Sequence, residues 1–236
     1  MVIDNTINKT IDDNLSKADI AKREVHKSSG KLSASMLSWP LQWQILKHLG
    51  VEQKPIDSYT LRKFYRGTSV EDWLVTQIPG IVEKQKFVQY RDVVGYIDAY
   101  VDSSGYEFKQ GKMVHEIKSV SNAKYKNIIT GKHPDEGHCL QACLYAMAIK
   151  SNYFAIDYVA TDDLRVTTFI EQVKDWKDEV DAIINQYERQ LVKKEIPVFE
   201  PRYAWQKNVM YNNYPEWAGL TKEEIEEKVK RLQIVI

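Results

Sequence analysis

Two apolar runs, VVGYIDAYV at residues 93–101 and MVHEIKSV at residues 113–120, constrain this chain more than any other part of it. Both are rich in β-branched and aromatic residues. Turn-forming residues lie between them, Ser103-Ser104-Gly105 and Gln110-Gly111-Lys112, as expected for neighbouring strands. A short strand is expected at 106–109 and another at 81–90, giving a meander. Side chains alternate across a strand. Val114, Glu116, Lys118 and Val120 therefore share one face and Met113, His115, Ile117 and Ser119 the other, while Val94, Tyr96, Asp98 and Tyr100 share a face of the earlier strand. Charges in a half-buried strand need partners or a metal.

Helices surround these strands. One is expected to start near Trp39-Pro40 and end at Gly50. A second runs over 58–77, with Gly67 as its weak point and Pro79-Gly80 as its stop. Residues 121–135 read as a basic, polar loop, and a helix follows at about 137–151. Strands at 153–161 and 165–170 precede a long amphipathic helix over 172–193. The order predicts an α/β protein with a mixed central β-sheet flanked by helices. Residues 1–30, polar and poor in aromatics, read as a flexible arm with one weak helix around 15–25. Residues 31–200 form the main domain. Residues 201–236 form an extension whose last helix opens with a capping box at Thr221-Lys-Glu-Glu224.

Glu-x-Lys also occurs at Glu52–Lys54 and Glu226–Lys228, in polar surroundings. Only Glu116–Lys118 lies in an apolar strand. A cross-strand ion pair on a solvent face would explain that triplet, and a strand-end aspartate would explain Asp98 alone. If the two strands pair, two carboxylates and a lysine converge, and hard divalent cations take such oxygen ligands together with water and a phosphate.

Taken together, Gly95-Tyr-Ile-Asp98, Glu116-Ile-Lys118 and Gln141-Ala-Cys-Leu-Tyr145 resemble the PD-(D/E)xK nuclease superfamily, most of all its RecB-like exonuclease branch, over about residues 33–200. Gly67-Thr-Ser-Val-Glu71 resembles the GxxxE form of an upstream element. The resemblance implies a restriction-endonuclease-like core and a metal-dependent DNA exonuclease serving recombination, repair or phage DNA processing. It implies Asp98, Glu116, Glu71 and the Ile117 carbonyl as ligands of magnesium or manganese, Lys118 as the catalytic lysine, and Gln141 and Tyr145 facing the site. Members of this branch with an iron–sulfur cluster carry four cysteines. This chain has two, Cys139 and Cys143, so no iron–sulfur cluster is expected, and both read as reduced core thiols. A non-cleaving DNA-binding module and a structure- or sequence-specific endonuclease are the alternatives.

Net charge is zero, from 33 basic and 33 acidic residues, so DNA contact would need local basic patches. Candidates are Lys124, Lys126 and Lys132, with Tyr125 stacking on a base, and Arg62 and Arg66 ahead of Glu71. DNA ends or single strands are the expected partner. With no Walker loop in the chain, unwinding would fall to a helicase or recombinase partner. His115 reads as structural; His133 and His138, flanking the loop before the Gln141 helix, read as exposed loop residues, with contact to phosphate as the alternative. No segment reads as a signal peptide or membrane span, which points to the cytoplasm.

Overall fold

The computed structural model describes residues 6–25, 31–107 and 111–234. Its centre is a six-stranded mixed sheet. The strands are β1 (Leu32–Ser33), β2 (Ile81–Tyr90), β3 (Val93–Asp102), β4 (Lys112–Val120), β5 (Tyr153–Ala160) and β6 (Val166–Gln172). β3 pairs antiparallel with β2 and β4, β4 runs parallel to β5, and β6 closes the far edge antiparallel to β5. The helices are α1 (Thr6–Val25), α2 (Leu41–His48), α3 (Ser58–Val75), α4 (Asn122–Gly131), α5 (Glu136–Ala148), α6 (Val173–Lys193), α7 (Ala204–Asn213) and α8 (Lys222–Leu232). Among the described residues no helix is long and apolar enough to cross a membrane.

The sheet separates two cores. On one face Val93, Ile97, Val114, Phe154, Ile156 and Tyr158 pack with α5, the centre of the larger cluster. The α5 segment is buried almost all round, Cys139 to Ala146, which is why it lacks an exposed polar face. On the other face α3 lays Val70, Leu74 and Val75 on Ala99, Val101, Ile117 and Val159. The Asp57 carboxylate accepts from the Thr60 amide (2.9 Å) and starts α3, a cap worth about 1 kcal/mol. Gly67 sits in mid-helix where α3 crosses β4, its Cα side turned to Ser119.

Three local expectations change. Residues 121–135 are not a loop. The Ser121 hydroxyl accepts from the Lys124 amide (3.4 Å) and starts α4, and Tyr125 and Ile128, three apart, bury one side of it. The lysines that suggested a loop line its exposed side. No strand begins at Tyr106. A 3-10 turn at Ser103–Gly105 precedes it, its hydroxyl donates to the Pro79 carbonyl (2.9 Å), and residues 108–109 lie outside the described residues. α1 covers more than the expected 15–25 and ties to α3 through Asp12 and Arg62 (2.8 Å). Beyond residue 200, Tyr214 and Trp217 are buried in the larger core, with Tyr214 edge-on to Trp43. The capping box at Thr221 forms as read.

Candidate active site

The site lies where the sheet forks. Along one edge β3 is bonded to β2 for most of its length. Along the other it pairs with β1 at Val93 and Val94, then with β4 from Ala99 to Asp102. Residues 95–98 have no ladder partner on that side. The Asp98 carboxylate fills the gap, accepting from the backbone N–H of Ile117 (2.8 Å) where the next rung would fall. The alternation of β3 also slips at Asp98. Before it, Val93 and Ile97 face the α5 core; after it Tyr100 does, and Ala99 and Val101 face α3. The single face expected for Val94, Tyr96, Asp98 and Tyr100 is therefore broken. Opposite Asp98, Gln85 of β2 has a left-handed backbone (φ 47°), and its side chain donates to Glu71 (2.6 Å).

Gly95, at the head of the gap, is where Tyr145 packs. A Cβ there would fall 2.5 Å from Tyr145 Cε1 and Oη. From Tyr145 a chain of hydrogen bonds runs back to β4. Gln141 Nε2 donates to Tyr145 Oη (3.1 Å), Lys118 Nζ donates to Gln141 Oε1 (3.3 Å), and Lys118 Nζ also donates to Glu116 Oε1 (2.5 Å). The structure thus brings Gly95, Asp98, Glu116, Lys118, Gln141 and Tyr145 together, with Glu71 reaching Asp98 from α3.

The electrostatics of this cluster are strained. Glu116 is 1% exposed. Burial, and next the charge of Asp98, push its carboxyl up to about 8. Burial, Asp98 and a hydrogen bond shared with it raise Glu71 to about 7. Burial also raises Asp98, against Lys118 and the Ile117 amide. For Lys118 burial is the largest influence and lowers the ammonium's pKa, but Glu116, Asp98 and Glu71 together hold it above the usual lysine value. Burial raises the Tyr145 phenol.

Among the described residues no three His, Cys, Asp or Glu side chains already stand in an ion-holding arrangement. Glu116 gives one oxygen to Lys118, and Glu71 and Asp98 lie against each other, each raised by burial. The second oxygen of Glu116, Oε2, is buried and without a partner, a costly state for a carboxylate. An all-oxygen set with one orphaned atom suits a hard divalent cation. The Ile117 side chain belongs to the α3 core, so only its backbone could contribute.

The basic candidates lie outside this cluster. Lys126 and Lys132 are exposed on and just after α4. Lys124 is paired with Asp135 (3.2 Å). Tyr125 is only 3% exposed, with its hydroxyl on Thr167 (2.7 Å) and Arg165 over its ring, so it has no free face for a base. Arg62 is engaged by Asp12 and the Asn8 carbonyl, while Arg66 is exposed. His115, on the face away from Glu116, is bonded to Asp157 (2.7 Å), which also accepts from Thr168 (2.5 Å). The sequence reading missed Gln85, which no local signal marks. It also missed Asp157, an acid in an apolar strand like Asp98, which serves a buried histidine instead.

No protein-family model matches the chain, and neither does any curated protein. Among solved structures the chain is similar to that of SSO0001, with a TM-score of 0.49 and 14% identity, covering 83% of this chain and 91% of that one. It is also similar to an alkaline exonuclease, LHK-Exo, from Laribacter hongkongensis, with a TM-score of 0.47 and 13% identity over 77% of this chain and 95% of that one. The structure of LHK-Exo in complex with dAMP gives a TM-score of 0.46 and 13% identity over 70% and 91%.

Proposed function

We propose that this chain is a divalent-metal-dependent deoxyribonuclease that hydrolyses phosphodiester bonds and acts on DNA ends or single strands. One observation carries the reading. Three segments far apart in sequence, Gly95–Asp98, Glu116–Lys118 and Gln141–Tyr145, close on one another at a fork in the sheet, through side-chain hydrogen bonds and the packing of Tyr145 on Gly95. A salt bridge on a solvent face would need neither the buried Glu116 nor the gap that Asp98 fills.

Asp98, Glu116, Glu71 and the Ile117 carbonyl are the groups that would hold magnesium or manganese. Such an ion, when bound, neutralises charge on the phosphate and acidifies a coordinated water. The rest falls to the chain. Lys118, kept charged by its carboxylate neighbours, stabilises the negative charge that builds on the phosphate oxygens. Gln141 fixes the direction of the Lys118 ammonium. Tyr145, seated on Gly95, fixes Gln141. Lys126, Lys132 and Arg66 supply exposed positive charge for the DNA backbone. The preference for ends over internal sites rests on the resemblance of the motifs, as does a separate helicase or recombinase partner.

The test is incubation with end-labelled linear single- and double-stranded DNA and with closed circles, in magnesium, manganese or EDTA, beside Lys118→Ala. Metal-dependent loss of linear DNA that Lys118→Ala lacks is the expected result. Cutting of closed circles would make the protein an endonuclease. DNA binding without cleavage under either metal would make it a binding module.

A further inference from the structure

A second contact runs beside the one between Lys118 and Gln141. Lys118 and Tyr158 are direct partners in the β4–β5 ladder, so their side chains lie side by side beneath α5. Lys118 reaches Gln141, and Tyr158 Oη meets His138 Nδ1 at 2.8 Å. His138 is three residues before Gln141 and seven before Tyr145, so the three form one stripe of the helix. The loop histidine expected from sequence is the head of the stripe that carries the site.

The hydrogen bonds around His138 favour one tautomer. The Asp135 N–H donates to Tyr158 Oη (2.8 Å), and the phenol's own hydrogen is then placed on His138 Nδ1. That assignment leaves the ring hydrogen on Nε2. Nε2 has no hydrogen-bond partner among the described residues, and the His138 side chain is partly exposed. The titratable groups facing the ring are Tyr158, Asp135, Lys118 and Lys124. Burial, then the charge of Lys118, push its pKa down to about 3. Asp135 acts the other way, but its carboxylate is engaged by Lys124 and the Gly137 amide.

We infer that His138 contacts the substrate, its Nε2–H donating to a phosphate oxygen of the DNA strand beside the position that Lys118 serves. The identity of that phosphate rests on the nuclease reading. An uncharged donor can hold the oxygen without placing a second cation against Lys118.

The test has two arms, both on the full chain. In the first, steady-state cleavage of linear DNA in magnesium is compared among wild type, His138→Phe and His138→Gln. Loss of a hydrogen bond to a charged oxygen lowers kcat/KM of His138→Phe by roughly ten- to a hundredfold, and His138→Gln, whose amide carries an N–H near the Nε2 position, regains most of it. Undiminished kcat/KM in His138→Phe, or equal losses in both variants, overturns the inference. In the second arm, nitrogen NMR of the wild-type histidines follows addition of a single-stranded oligonucleotide in EDTA. An Nε2-protonated tautomer whose Nε2 resonance moves with the oligonucleotide is expected; an Nδ1-protonated tautomer or an unmoved resonance refutes the contact. This arm needs neither cleavage nor a folded variant. If the wild type cuts no DNA, the nuclease reading fails and the NMR titration alone decides the inference.

Discussion

Replacing Gly95 with alanine tests the architecture of the site with a single methyl group. Gly95 is not among the residues with positive φ, so its backbone accepts alanine. In an open strand the change would stabilise the protein by about 0.4–1 kcal/mol, through the lower entropy of the unfolded chain. Here the methyl would sit 2.5 Å from Tyr145 Cε1 and Oη, about 1 Å closer than an ordinary carbon contact. Tyr145 is 3% exposed and has little room to retreat. Overpacking of this kind costs about 1–3 kcal/mol, so the sign reverses, and Gly95→Ala should lower stability by about 1–2 kcal/mol. Urea denaturation measures this, with the slope unchanged. In a Tyr145→Leu background the obstructing atoms are gone, and Gly95→Ala should be neutral or stabilising, a coupling of about 1–3 kcal/mol. Displacing Tyr145 also releases Gln141 and hence Lys118, so cleavage should fall with stability. A stabilising Gly95→Ala in the wild-type background, or the same cost in both backgrounds, would refute the close approach.

Further outcomes follow from the site's charges and from the basic surface. Glu116 and Glu71 are raised to about 8 and about 7 from 4.5, so the folded protein keeps protons that the unfolded chain has released. In EDTA, stability should therefore fall as pH rises from about 4.5 to about 8, by at most about 1.4 kcal/mol per pH unit for each group. Glu116→Gln should flatten the dependence, and urea midpoints that climb over that range would contradict it. Lys126→Ala and Lys132→Ala should each reduce the slope of log affinity against log salt by about 0.9 in duplex-DNA binding titrations. Tyr125→Phe removes the hydroxyl bonded to Thr167 and should cost about 1 kcal/mol in urea denaturation; unchanged stability would show that the bond contributes nothing. Burial pushes the Cys143 thiol up to about 12 and Cys139 higher still. Neither should react with a thiol reagent at pH 8 before the protein unfolds, and prompt labelling of the native state would show the helix to be open.

Where hydrophobic period and chemistry agreed, the sequence was legible. The strands at 93–101 and 113–120, the helix carrying Gln141 and Tyr145, and the capping box at Thr221 each had a local signal that tertiary contacts reinforced. Residues 121–135 misled because their polar residues outnumber their apolar ones. Two buried side chains, Tyr125 and Ile128, are enough to dock a helix, and a count of polarity hides them. The slip at Asp98 was invisible because strict alternation is assumed within one strand, whereas here a side chain replaces a ladder bond. Asp98 and Asp157 look alike in sequence, each the lone acid of an apolar strand. Only the pairing of His115 with Ala155, two residues before Asp157 in β5, and the termination of the β3–β4 ladder at Ala99 separate a buried histidine's partner from a residue of the candidate site.

The fork at residues 95–98 also makes the sheet compliant at one place. Across that edge β3 and β4 are joined by four residue pairs, from Ala99–His115 to Asp102–Lys112, and by the bond from Ile117 to Asp98. Within the sheet, the β1–β2–β3 ribbon is therefore held to β4–β5–β6 by a short seam. One carboxylate latches that seam. Hydrogen exchange at the single amide of Ile117 thus measures how often the latch opens, separately from the unfolding of the strands on either side.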